Sequence, residues 1–254
     1  MIKTDLNIVC CSRSRADNLI TKKLFIGHKL IVVVPENQVA KYKEHNTESY
    51  LEIVGHPNWV RGIGDARWWV IENYANVFML DDDIDHIRYY CVKGKAFDTI
   101  RDSDHVNDII HSTYLTAKAF GAKVWGFGNC RQPLEFSPQK PFKFTGYINA
   151  SMCGYMEDHG LHYPHKEKWI NGVEDFWFCG LNAHKNRYIF ADERYTLLTV
   201  GNFNAMGGAT DYRKQSDMVM QTEKLMGMFG EAIQSEHRVK KKKQGVFRVL
   251  KTDF

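Results

Sequence analysis

Three consecutive carboxylates, Asp81, Asp82 and Asp83, follow the apolar run Val77 to Leu80 without a break. Side chains of one sign crowded at the end of a buried strand repel one another, and they are costly to hold there unless a cation neutralises them. Hard oxygen ligands suit Mg²⁺ or Mn²⁺, ions that usually share their coordination with substrate phosphates. The plain alternative is a solvated acidic turn. A calcium-loop reading fails, because His86 stands where the loop needs glycine and Val92 where it needs glutamate. A second acidic pair, Glu174-Asp175, follows Asn171-Gly172 and opens an aromatic stretch. A carboxylate in that position is a candidate general base, although acids also favour first helical turns for electrostatic reasons.

Other features are less specific. Gly62-Ile63-Gly64-Asp65-Ala66-Arg67 precedes a helical pattern, so its backbone N–H groups could meet an anion. It lacks the third glycine of a dinucleotide fingerprint, and the chain has no phosphate-binding Gly-x-x-x-x-Gly-Lys-Ser/Thr. His159, His162, His165 and His184 have no diagnostic metal spacing, and the six tryptophans read mainly as core. The six cysteines form no Cys-x-x-Cys pair and read as reduced, mostly buried thiols. Between Arg238 and Lys251 there are seven Lys/Arg and no acid, which leaves 27 basic against 30 acidic residues elsewhere. The net charge of +4 is therefore a C-terminal property, and Lys240, Lys241, Lys242 and Lys243 suit a polyanion.

The elements that must carry these residues alternate in the first third. Strands are expected at Leu6 to Cys11, Leu30 to Val34, Leu51 to Val54 and Val77 to Leu80. Helical segments are expected at 14 to 26, 36 to 45 and Asp65 to Tyr74. This β-α alternation predicts a parallel sheet covered on both faces, with ligands at the carboxyl ends of its strands. Further on, the pattern predicts helices over Ser103 to Phe120, Glu174 to His184 and Ser216 to Phe229, and strands at Lys123 to Phe127 and Arg194 to Val200. A long ordered loop over 128 to 146 separates them. With 254 residues, 44% hydrophobic and 25% charged, the chain is a folded protein; extensive disorder is excluded. No apolar run approaches the ~20 residues of a membrane span, and the N-terminus lacks a signal-peptide layout, so a cytoplasmic protein is expected.

Taken together, residues 6 to 235 resemble a GT-A type glycosyltransferase, with Asp81-Asp82-Asp83 as its Asp-x-Asp motif and Glu174-Asp175 opening an acceptor half. More narrowly, the chain is similar to the TET-associated glycosyltransferases of bacteriophages, which act on hydroxymethylated pyrimidines in DNA. Arg61 to Arg67, VFMLDDDI, Gly172 to Asp175 and Gly207 to Arg213 carry that likeness. The resemblance implies an α/β fold with a Rossmann-type, mostly parallel sheet flanked by helices. It divides the chain into a nucleotide-sugar half (1–90), an acceptor half (91–235) and a basic C-terminal tail (236–254). It implies that Ser12, Arg13, Arg67, Asp81 and Asp82 hold the donor, a UDP-sugar by preference, and that Asp81 and Asp83 hold Mn²⁺ or Mg²⁺. It further implies that Asp175, with Glu174 as second choice, is the carboxylate that activates the acceptor hydroxyl. The expected acceptor is hydroxymethylcytosine in phage DNA, contacted through Lys240 to Lys243, with no membrane partner and a location in the host cytoplasm. The alternatives are a transferase acting on a glycan or protein, a catalytically dead DNA-binding module, and a two-metal nuclease built on the Asp cluster.

Overall fold

The computed structural model describes residues 4–130, 132–164, 171–200, 215–239 and 246–252. Its first third follows the expected alternation: β1 (Asn7–Cys11), β2 (Leu30–Pro35), α1 (Val39–His45), β3 (Leu51–His56), α2 (Ile63–Asn73) and β4 (Val77–Asp81). β1 and β2 are buried almost throughout, as continuous apolar runs in a doubly covered parallel sheet should be. That is why the adjacent Cys10 and Cys11 are both buried although they point to opposite faces. Six cysteines are free thiols, of which only Cys91 is exposed. The helix expected over 14 to 26 shrinks to a 3-10 turn at Thr21–Phe25. The polar stretch before it bonds outward instead of along a helix: Ser14 pairs with Gln38, the Ala16 carbonyl accepts from Asn46, and Arg15 reaches the acidic turn.

The remaining elements are β5 (Ile84–Tyr89), β6 (Asp98–Ile100), α3 (Ser103–Ala119), β7 (Val124–Phe127), β8 (Phe142–Lys143), β9 (Met152–Tyr155), α4 (Glu174–Asn186), β10 (Phe190–Asp192), β11 (Tyr195–Thr199), α5 (Gln215–Phe229), β12 (Ile233–Val239) and β13 (Val246–Thr252). Eight strands form one sheet in the order β3-β2-β1-β4-β9-β7-β10-β8. Its first four strands are mutually parallel, β9 runs against both β4 and β7, β10 is parallel to β7, and β8 closes the edge antiparallel. β4, β7 and β10 therefore all point their carboxyl ends at one edge. A smaller sheet, β11-β5-β6, stands above that edge and ties the segment after the acidic turn to the segment after β10. α3 is N-capped by Asp102, whose carboxylate accepts from the His105 N–H at 2.9 Å. Among the described residues no helix is long and apolar enough to cross a membrane.

Two expectations are corrected. The loop over 128 to 146 contains a 3-10 turn at Pro133–Glu135 and the short edge strand β8. The segment read as a basic tail begins inside β12, which pairs antiparallel with β13 in register Ile233↔Thr252 to Val239↔Val246. It is a β-hairpin, because Val246 to Leu250 supplies a β-branched, apolar return strand that charge counting overlooks. Lys240, Lys241, Lys242 and Lys243 lie outside the described residues, between its two strands.

Candidate active site

The acidic turn is built by its neighbours. In the parallel pairing of β1 and β4, Cys11 stands opposite Asp81, so Ser12 and Asp82 leave the sheet side by side. Ser12 Oγ donates to Asp82 Oδ2 at 2.5 Å and lies 2.6 Å from the Tyr42 hydroxyl, which accepts from the Arg15 N–H at 3.0 Å. Arg15 Nη1 donates to Asp82 Oδ1 at 2.6 Å and lies 3.7 Å from Asp83 Oδ2. The backbone of the turn is capped by the 3-10 segment: the N–H groups of Ile20 and Thr21 donate to the Asp82 carbonyl, and Thr21 Oγ1 donates to the Asp81 carbonyl at 2.6 Å. The sequence expectation stops at Ser12 and Arg13 and misses both Arg15 and Tyr42; the repeat Ser12-Arg13-Ser14-Arg15 after β1 could have marked Arg15, and nothing local marks Tyr42.

The three carboxylates thus differ in role. Asp82 turns inward, is buried, and has both oxygens engaged. Burial raises its pKa, with Ser12 and Arg15 opposing the rise. Asp83 keeps 31% of its side chain exposed, and burial together with the charges of Asp81 and Asp82 pushes its carboxyl up to about 6. Its Oδ1 is buried and has no hydrogen-bond partner among the described residues. Asp81 is tied down from another direction: Arg67 Nη2 donates to its Oδ1 at 2.6 Å.

Arg67 also joins the two acidic motifs. Its Nη1 donates to Glu174 Oε1, across 107 residues of sequence. Both side chains are almost fully buried. Burial works against the guanidinium charge, but Asp81 and Glu174 outweigh it and hold the group charged. Glu174 therefore sits beneath the site, its second oxygen without a partner among the described residues. Asp175 is half-buried on the first turn of α4. Its Oδ1 accepts from the Phe176 N–H at 2.9 Å. The pair predicted from sequence is split by the helix: one member faces in toward Arg67, the other lies toward the surface.

The glycine-rich turn before α2 has a packing role in place of the anion cradle its pattern suggested. A Cβ on Gly62 would lie 2.4 Å from the Asn171 side chain, and one on Gly64 would lie 2.2 Å from the Tyr163 hydroxyl. Asn171 Oδ1 accepts from the Asp65 N–H at 3.1 Å and from Tyr163 at 3.2 Å. Asn171 and Tyr163 thereby dock the loop ahead of α4 onto the start of α2, which fixes Glu174 opposite Arg67. Arg13, expected at the donor, reaches the Arg61 carbonyl at 2.7 Å. Trp68 and Trp125 are core side chains, stacked on Phe178 and Phe78 respectively. His165, Trp169 and the segment Gly207 to Arg213 lie outside the described residues.

Four carboxylates (Asp81, Asp82, Asp83, Glu174) face two arginines (Arg15, Arg67) in this cluster. Among the described residues no group of three or more His, Cys, Asp or Glu has the disposition of a metal site. The partnerless Asp83 Oδ1 beside Asp81 nevertheless fits a hard divalent ion that takes most of its oxygens from a substrate and from water.

No curated protein sequence matches the chain. Among solved structures it is similar to S. aureus TarS residues 1–349, at 12% identity over 78% of this chain and 59% of that one, with a TM-score of 0.43. It is also similar to the same protein in complex with UDP, at 13% identity over 78% and 59%, with a TM-score of 0.42. The apo form of mouse xyloside xylosyltransferase 1 follows, at 9% identity over 73% and 77%, with a TM-score of 0.35. The chain thus spans 59% of the length of the TarS structures. The match that embraces the site itself is to a sequence family: the model for TET-associated glycosyltransferases covers residues 6–208, from the start of β1 past the acidic turn, Arg67 and α4, and the chain belongs to that family of glycosyltransferases.

Proposed function

We propose that this glycosyltransferase moves a sugar from a nucleotide-sugar donor onto the hydroxyl of a 5-hydroxymethylpyrimidine in phage DNA, hydroxymethylcytosine above all. The observation that carries this reading is the acidic turn at the carboxyl end of β4, short of positive charge and joined through Arg67 to the helix that bears Asp175. The UDP bound to S. aureus TarS supports a UDP-sugar as donor.

Each residue then has a task. Ser12, Arg15 and Tyr42 hold Asp82, and through it the shape of the turn. Arg13 lies at the donor side of β1. Asp81 and Asp83 are the side chains that would hold Mn²⁺ or Mg²⁺. Such an ion, when bound, neutralises the charge that grows on a departing nucleoside diphosphate. Arg67 holds Asp81 in place. Asp175 takes the proton from the acceptor hydroxyl as its oxygen attacks the anomeric carbon and the sugar–phosphate bond breaks. Glu174, buried against Arg67, positions the start of α4 and leaves Asp175 as the base. Lys240 to Lys243 contact DNA phosphates without regard to sequence.

The test is to incubate the protein with hydroxymethylcytosine DNA and a panel of sugar nucleotides, digest the DNA to nucleosides and weigh them. A nucleoside heavier by one sugar residue is expected with one donor. Free sugar released with no mass gain on DNA would refute the acceptor. DNA cleavage without any donor would refute the transferase chemistry.

A further inference from the structure

The carboxyl ends of β7 and β10 share the sheet edge of the acidic turn, with only β9 between β4 and β7. At the ordinary strand spacing this places the end of β7 roughly 10 Å, and that of β10 roughly 15 Å, across the sheet from Asp81. A cavity of about 130 Å³ opens there, lined among others by Asn129, Cys130, Glu135, Lys143, Tyr147 and Glu193. It is too small for a nucleotide sugar, since sites for drug-sized ligands run to roughly 300–1,000 Å³. It is close to the ~150 Å³ that accepts a single six-membered ring.

Its walls point to a polar heterocycle. Tyr147 stacks on Phe176 with ring centroids 4.5 Å apart, so one wall of the cavity leans on the residue next to Asp175. Glu193 is half-buried and lies within reach of the charge of Lys143, which lines the same cavity, but among the described residues no hydrogen bond or close ion pair holds its carboxylate. Gly128 makes room for it: a Cβ there would lie 2.8 Å from the Glu193 Cα. Beside the cavity, Leu134 is 96% exposed on the 3-10 turn Pro133–Glu135, a turn closed by Glu135 N–H to the Gln132 carbonyl at 3.0 Å. A large aliphatic side chain held out in water on a rigid turn suits insertion into an apolar gap.

We propose that this cavity receives the acceptor pyrimidine after it leaves the DNA stack, that Glu193 accepts a hydrogen bond from the exocyclic amine of cytosine, and that Leu134 fills the gap left in the duplex. This rests on the DNA-acceptor reading above. A base inside a duplex cannot bring its hydroxymethyl group to a recessed catalytic residue without being extruded. A carboxylate is the group that prefers the amine of cytosine over the carbonyl oxygen of uracil at the same ring position.

The test measures kcat and KM for transfer to duplex and single-stranded DNA carrying hydroxymethylcytosine or hydroxymethyluracil, using wild type, Glu193→Gln and Leu134→Ala. Wild type should prefer hydroxymethylcytosine by roughly tenfold or more. Glu193→Gln, whose amide both donates and accepts, should bring that ratio near one while donor hydrolysis is unchanged. Leu134→Ala should raise KM for duplex on the order of tenfold and leave single-stranded transfer alone. A wild type without base preference would overturn the proposal. So would a Glu193→Gln variant that keeps the preference, one that slows equally on both bases, or a Leu134→Ala loss equal on both DNA forms. In those cases transfer to DNA itself still stands. If wild type modifies neither DNA, the acceptor reading falls and this assignment falls with it.

Discussion

Arg67→Met is the substitution whose outcome the structure constrains most tightly. Arg67 is 6% exposed, and its guanidinium donates to Asp81 on β4 and to Glu174 on α4. Methionine fills much of the same volume but leaves Glu174, 2% exposed, with neither oxygen partnered, because its Oε2 lacks a partner already. Removing one member of a buried pair strands the other, at about 3–5 kcal/mol. That is a fifth or more of the roughly 5–15 kcal/mol by which a domain is stable. Glu174→Gln alone should cost less, about 1–2 kcal/mol, since Arg67 keeps Asp81 and the amide still accepts. The double variant Arg67→Met/Glu174→Gln no longer buries a lone charge at Glu174. Its loss should fall short of the sum of the single losses by about 2 kcal/mol, within the range for directly touching residues. Urea unfolding followed by tryptophan fluorescence measures all three, because Trp68, Trp125 and Trp177 are buried and report on the core. An Arg67→Met protein within about 1 kcal/mol of wild type, or strictly additive losses, would refute a buried link between the two motifs.

Further outcomes follow from the same geometry. In EDTA, burial and the neighbouring carboxylates push the folded Asp83 carboxyl up to about 6 from its ordinary 3.8, so the folded state holds more protons between those values and stability falls as pH rises through that window. Asp83→Asn should remove that fall and gain about 1 kcal/mol at pH 7, after discounting for a side chain still 31% exposed; an unchanged pH profile of unfolding would contradict it. The same variant should lose transfer activity and the thermal stabilisation that Mn²⁺ and donor give to wild type, whereas full wild-type activity in excess EDTA would remove the metal from the reaction. Asp175→Asn should lower turnover by roughly 10²–10⁴-fold with donor affinity near wild type, and near-normal single-turnover rates would dismiss it as the base. Replacing Lys240 to Lys243 with glutamine should weaken binding to all DNA sequences alike and flatten the log–log salt slope by up to about 0.9 per lost phosphate contact; an unchanged slope would show that these lysines do not touch phosphate.

The sequence by itself determined the class of fold and the place of the acidic turn. Uninterrupted apolar runs such as Leu30 to Val34 and Val77 to Leu80, separated by helix-compatible polar stretches, have one economical arrangement, a parallel sheet covered on both faces, and polar residues that end such a strand must emerge at its carboxyl edge. Periodicity and composition report burial, and burial is a local property of each run. What each acid faces is not local. Asp81, Asp82 and Asp83 are chemically identical neighbours, yet Arg67 holds the first, Ser12 and Arg15 enclose the second, and the third keeps a partnerless oxygen. Those differences arise because β1 pairs beside β4 and α2 packs where α4 begins. In the same way, Gly62 and Gly64 looked like an anion turn until Asn171 and Tyr163 came to occupy the space their missing side chains leave. Glu193 had no motif to mark it, and only the return of β10 alongside β7 brings it to the cavity. The tertiary structure decided these assignments because a carboxylate's role depends on which cations, donors and water reach it, and the crossover connections that bring those groups together leave no trace in the spacing of residues along the chain.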